Sequence, residues 1–310
     1  MNKLIRPMHL SLLLFSAFIG CNDDDQTPAR TWQHKTGITA KPSFGIEAFD
    51  NILIIVGDQG LIKRSEDSGA NWTTPESPAA QRLNSSKFVD GMNGWICGSN
   101  GTMLMTQDGG TTWQLQPTPT TSHLNDVDFI TATEGWACGF NGTILHTVNG
   151  GATWTQQVSN TNKYISSLDF KGMKGVACGS GGLILTTENL GETWTERNSN
   201  VKSDLQEIVI LNDSEVVAVG GSGTILKSTN AGQDWKVVQQ EFLENFLTMI
   251  FINEKEGWIS GEKGVLRHTS DGGETWTKEP SLQAMYISGL TGNDKKVWAA
   301  GSSIFECACN

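Results

Sequence analysis

The sequence predicts an all-β protein, a seven-bladed β-propeller of four-stranded antiparallel blades, and three observations carry that prediction. Trp32, Trp72, Trp113, Trp154, Trp194, Trp235 and Trp276 lie 40 or 41 residues apart. Gly57, Gly98, Gly139, Gly179, Gly220, Gly261 and Gly301 form a second ladder, in phase with the first. The last unit stops before its tryptophan, whereas Trp32 stands alone at the other end, so two partial units add up to one blade. Repeats of about 40 residues are the sequence mark of propeller blades, and ring closure leaves no bare sheet edge. The 310 residues are 37% hydrophobic with 35 glycines, enough to build a core and too apolar for disorder.

Residues 1–20 precede the fold. Lys3 and Arg6 are followed by the apolar run 10–19 (LSLLLFSAFI), a secretory signal too short to span a bilayer as a helix. Phe18-Ile19-Gly20-Cys21 resembles a bacterial lipobox, with Phe18 where leucine is more usual. That resemblance implies cleavage before Cys21 and lipid attachment to its thiol. Residues 21–30 then form an acidic tether, opening with Asn22-Asp23-Asp24-Asp25-Gln26. The run resembles the surface-export tether of some Gram-negative lipoproteins; a plain solvated spacer is the alternative. The expected location is the outer membrane at the cell surface, with its periplasmic face as the alternative.

Residues 31–310 hold the blades. In the unit around Trp154, residues 124–130 alternate as an inner strand. Residues 134–139 follow as the second, 143–147 as the third and 153–158 as the outer strand. Between third and outer strands runs a motif such as Thr106-Gln-Asp108-Gly-Gly110-Thr-Thr112-Trp113. Its carboxylate or amide can accept backbone N–H groups while glycine takes a positive φ. The acceptor positions are Asp67, Asp108, Asn149, Asn189, Asn230 and Asp271, each followed by a tryptophan of the ladder. All 11 tryptophans fall on the two ladders, Trp95, Trp136, Trp258 and Trp298 on the second strands. They read as packing between blades, so their number is no sign of a sugar site.

The motif S/T-x-D/N-x-G-x-T-W resembles the Asp-box, or bacterial neuraminidase repeat. The stretch Gly135 to Trp154, GWACGFNGTILHTVNGGATW, is more specifically similar to the photosystem II stability and assembly factor family. The resemblance covers roughly residues 31–310 and implies an assembly or stability role for a membrane complex.

Enzyme readings fare less well. A sialidase needs an arginine cluster and a tyrosine nucleophile. Beyond residue 20 the chain has Arg30, Arg64, Arg82, Arg197 and Arg267, with Tyr164 and Tyr286. Of these arginines Arg82 alone is expected in a loop that reaches the central channel. Asp126, Asp128, Asp169 and Glu207 on inner strands keep a glycosidase as the alternative, although solvated channel lining is the preferred reading. Histidines 34, 123, 146 and 268 are dispersed without metal-ligand spacing, and no cofactor or metal is expected. Cys97, Cys138 and Cys178 share one column and read as small buried residues. Cys307 and Cys309 leave a disulfide open, without a chosen partner. A net charge of -11 argues against nucleic acid.

The repeat breaks down in the loops opposite the Asp-box turns, at residues 75–86, 117–124, 158–165, 198–205 and 239–246. Rigid scaffolds carry function on such variable loops. Arg82, His123, Asn125, Phe140, Tyr164, Asp204 and Phe242 are the candidate contacts for a protein or an extracellular polymer, bound by a non-catalytic monomer.

Overall fold

Seven antiparallel sheets surround a central channel in the computed structural model, which describes residues 30–239 and 244–308. Blades 1 to 7 are numbered in chain order by their inner strands, Ser43–Phe49, Leu83–Phe88, Leu124–Phe129, Ile165–Lys171, Leu205–Ile210, Phe246–Phe251 and Ile287–Gly292, and blade 3 shows the common plan. Its inner strand is Leu124–Phe129, followed by Gly135–Gly139, Ile144–Thr147 and an outer strand of only Thr155–Gln156. The outer strand is shorter than the sequence suggested because Trp154 turns inward and is 6% exposed. In blade 1 the outer strand shrinks to one bridge, Arg64 to Thr73, beside Ser43–Phe49, Ile52–Gly57 and Ile62–Ser65.

Blade 7 is assembled from both ends of the described chain. Ile287–Gly292, Lys296–Gly301 and Ile304–Ala308 take their fourth strand from Trp32–Lys35, with Trp32 opposite Cys307 and Lys35 opposite Ile304. The expected closure is therefore met.

The core lies between neighbouring blades. Each corner tryptophan faces backward: Trp113 of blade 2 packs with Ile54 and Val56 of blade 1 and meets Phe88 edge-on at 6.1 Å. Each second-strand tryptophan faces forward. Trp95 stacks on Phe129 of blade 3 at 3.6 Å and donates to the Gly150 carbonyl at 2.9 Å. Trp136 repeats this on Phe170 of blade 4 at 3.7 Å. Burial of one such ring contributes roughly 4–6 kcal/mol of gross hydrophobic stabilisation.

The corner itself works as its residues suggest. Thr112 N–H donates to Asp108 Oδ1 at 2.9 Å, and Gly110 N–H donates to Thr106 Oγ1 at 2.9 Å. Gly110 has φ +81, a left-handed conformation open to glycine. Where asparagine replaces aspartate the acceptor survives, as Thr153 N–H donates to Asn149 Oδ1 at 2.9 Å.

The glycine ladder has a different cause, close approach of two backbones. A Cβ on Gly139 would sit 2.0 Å from the His123 carbonyl oxygen, which must accept Phe140 N–H at 3.0 Å. The other six ladder glycines meet a corresponding carbonyl at 2.0–2.3 Å. Cys97, Cys138 and Cys178 are buried free thiols, Cys307 is buried, and Cys309 lies outside the described residues.

Candidate binding site

The carbonyls that receive these turns belong to Pro42, Arg82, His123, Tyr164, Asp204, Asn245 and Tyr286, one from each blade. The backbone of this column is committed to the fold, and its side chains are left to vary around one end of the channel. Three of them brace the turn of the preceding blade. His123 Nδ1 accepts Asn100 N–H at 3.2 Å, Asp204 Oδ1 accepts Gly181 N–H at 2.8 Å, and Asn245 Oδ1 accepts Ser222 N–H at 3.0 Å.

Arg82, Tyr164 and Tyr286 of this column, with Phe44, His123 and Phe140, form an aromatic and cationic rim. The Arg82 guanidinium lies 3.5 Å above the Phe44 ring, and its Nε donates to Asn84 Oδ1 at 2.8 Å. Phe140 meets His123 at 5.1 Å and Tyr164 at 4.8 Å, both edge-to-face, while remaining 41% exposed. Burial pushes the Tyr164 hydroxyl up to about 12, so it stays a neutral donor at any physiological pH. A flat or cationic group can be held here by ring faces and by the Arg82 plane.

Arg82, His123, Asn125, Phe140 and Tyr164 thus line one cavity of about 930 Å³, the channel itself. Asn125 has a structural task as well, donating to the Ile165 carbonyl of blade 4 at 2.7 Å. Asp204 does not line the cavity; its carboxylate is spent on the Gly181 turn. Phe242 and Cys21 lie outside the described residues. Phe44 and Tyr286, which the sequence reading did not nominate, join the lining. Tyr286 stands in the same column as Arg82, His123 and Tyr164, so aligning the seven inner strands would have found it.

The inner-strand acids need a correction. Asp126, Asp128, Asp169 and Glu207 are not freely solvated lining, for they are buried or half-buried and tie blades together. Asp126 accepts Ser85 Oγ–H of blade 2 at 2.8 Å and Leu168 N–H of blade 4 at 3.1 Å. Asp128 accepts Phe170 N–H at 2.9 Å and pairs with Lys87 at 2.9 Å. Asp169 accepts Ile210 N–H of blade 5 at 2.6 Å, and Glu207 accepts the Ser167 hydroxyl at 2.7 Å. Glu47 adds a fifth carboxylate. Burial outweighs Lys87 and pushes Glu47 up to about 7; burial and Asp128 raise Asp169 to about 7 as well. Burial also raises Asp126 and Glu207. Blades 6 and 7 line the other side with Leu247, Met249, Ile250 and Leu290.

The arginines do not assemble around the channel. Arg64 donates to the Gly109 carbonyl at 2.7 Å, Arg197 to Thr186 Oγ1 at 2.9 Å, and Arg267 pairs with Glu244 at 2.8 Å. None of the three lines the cavity with Arg82.

Comparisons with known proteins agree with this architecture. The solved structure of YCF48 bound to D1 peptide superposes with a TM-score of 0.74 at 18% identity, covering 92% of this chain and 96% of its own. YCF48 from Cyanidioschyzon merolae gives 0.73 at 19% identity, over 89% and 98%. The GH74 enzyme of Niastella koreensis gives 0.71 at 16% identity, over 90% of this chain but 54% of its own. At these identities the likeness is one of fold. No curated protein matches the chain. The family model described as photosynthesis system II assembly factor YCF48 matches residues 111–236 and 200–310. Those matches span most of the sequence, from the corner of blade 2 into the third strand of blade 7, and the chain therefore belongs to the YCF48 assembly-factor family.

Proposed function

We propose that this propeller is a non-catalytic scaffold that holds a segment of a partner protein at the rim of its channel, in the service of assembling or stabilising a membrane complex. One observation carries the reading: Arg82, His123, Phe140 and Tyr164, from three consecutive blades, converge on one opening. The solved relative bound to a D1 peptide makes a protein segment the favoured partner over an extracellular polymer. The chain acts outside the cytoplasm, anchored through a lipid on Cys21 and spaced from the membrane by residues 21–30. It works as a monomer.

Capture from solubilised host membranes, read by mass spectrometry, tests the binding face. The wild type and a triple alanine variant of the corner residues Gln107, Glu188 and Ser270 should recover the same complex. Arg82→Glu combined with Phe140→Ala and Tyr164→Ala should lose it. Equal recovery by all three proteins would move the binding surface elsewhere. Unchanged membrane fractionation of Cys21→Ala would remove the lipid anchor from the reading.

A second reading, glycoside hydrolysis, is favoured by the upward-shifted channel acids, since a general acid needs such a shift. Asp126, Asp169 and Glu207, however, each have an oxygen occupied by a donor of a neighbouring blade. Loss of a polysaccharide-cleaving activity in Asp126→Asn/Glu207→Gln would be required to sustain it.

A further inference from the structure

Four of the five channel carboxylates are fixed by the seams they bridge. Asp126 and Asp128 join blade 3 to blade 4, while Asp169 and Glu207 join blade 4 to blade 5. None of these four can swing away to better solvent without releasing a donor of the adjoining blade. The groups facing them do little to balance the charge. Among the described residues Lys87 of blade 2 is the one ammonium in the lining, 2.9 Å from Asp128. Behind them stand the thiols of Cys97, Cys138 and Cys178, all fully buried. Arg82, His123, Tyr164 and Tyr286 sit at the rim. The lining strands of blades 6 and 7 present no charged side chain, only residues such as Thr248, Ile250, Leu290 and Thr291.

We propose that Asp126, Asp169 and Glu207, with Glu47 facing them, form a pH-sensitive clasp, which holds blades 3, 4 and 5 tightest when partly protonated and slackens the seams as ionisation completes. The reason is Coulombic. Several like charges confined to one narrow channel repel more strongly than in water, and the seam hydrogen bonds prevent them from separating. Ionisation toward neutral pH therefore pushes outward on the strands that the same oxygens hold together. The upward shifts of Glu47, Asp126, Asp169 and Glu207 agree with this direction. Between about pH 4, where unfolded carboxyls titrate, and about pH 7 these channel groups bind more protons in the folded ring than in the unfolded chain. Stability contributed by these groups is full below that window and is lost as the pH rises through it. Asn125 lies on one of these strands and Tyr164 just before another, so the clasp also sets the firmness of the rim.

Thermal unfolding of the whole exported chain from pH 5 to pH 8, at constant ionic strength, tests the clasp. The melting temperature of the wild type should fall by about 5 °C or more across the range. Asp169→Asn/Glu207→Gln keeps an acceptor oxygen at each seam, and its fall should be less than half as large. A wild-type temperature that stays level or rises, or a variant that falls by more than half as much, would overturn the proposal. Should the variant fail to fold, carboxyl carbon-13 titration of the wild type decides. Two or more side-chain midpoints above about pH 6 support the clasp, and fewer refute it.

Discussion

The outer corners and the central channel use carboxylates in opposite ways. At a corner, the acid is wrapped by donors of its own turn. The backbone N–H of Asn71, its side-chain amide and the Ser65 hydroxyl hold Asp67 down to about 2. In the channel, burial and like-charged neighbours push Asp169 up to about 7. The corner recurs six times with an oxygen acceptor conserved in kind, from Asp67 to Asp271. The channel position of Asp169 reads Glu47, Lys87, Asp128, Asp169, Val209, Ile250 and Thr291 around the ring. A position filled alike in every blade serves the fold. A position filled differently in each is released from it and can differentiate one face of the molecule.

Substitutions can break that comparison in order of effect. Trp113→Ala removes a ring shared by blades 1 and 2 and should cost roughly 3–5 kcal/mol in denaturant unfolding. An unchanged midpoint would mean that the corner column does not hold blades together. Asp108→Ala removes the acceptor of Thr112 N–H and of its hydroxyl and should cost about 1–2 kcal/mol. Asp108→Asn should recover most of that loss, as asparagine serves three other blades; equal losses would separate the corner from its hydrogen bonds. Phe140→Ala, on the divergent rim, should alter stability by no more than about 0.5 kcal/mol. A loss as large as that of Trp113→Ala would make the rim part of the core.

Periodicity made the fold legible. Trp and Gly columns at one spacing revealed the blades, and the orphan Trp32 revealed the closure, because each follows from a constraint that every blade must meet. The rim was legible in part. Arg82, His123 and Tyr164 were recognised as departures from the repeat, but Asp204 departs for a local reason, its bond to Gly181. A change of residue does not distinguish a side chain that braces its neighbour from one that faces a ligand. The channel acids were visible on inner strands, yet their state was not. That state depends on which backbone N–H of the next blade lies within reach, as Ile210 does for Asp169. Such pairing is set by the ring as a whole and leaves no mark in the local sequence.

The pairing of Trp32–Lys35 with Ile304–Ala308 also carries a consequence for biogenesis. The first strand of the ring can find its partner only after the last one has been made, the longest-range contact this topology allows. Contacts of such sequence separation form late, and strand edges awaiting them are exposed to misassembly. Every product truncated upstream of residue 304 lacks the strand that receives Trp32 and keeps blade 7 open. Closure is thus a checkpoint on synthesis: the ring can shut only once the chain has been made through Ile304–Ala308.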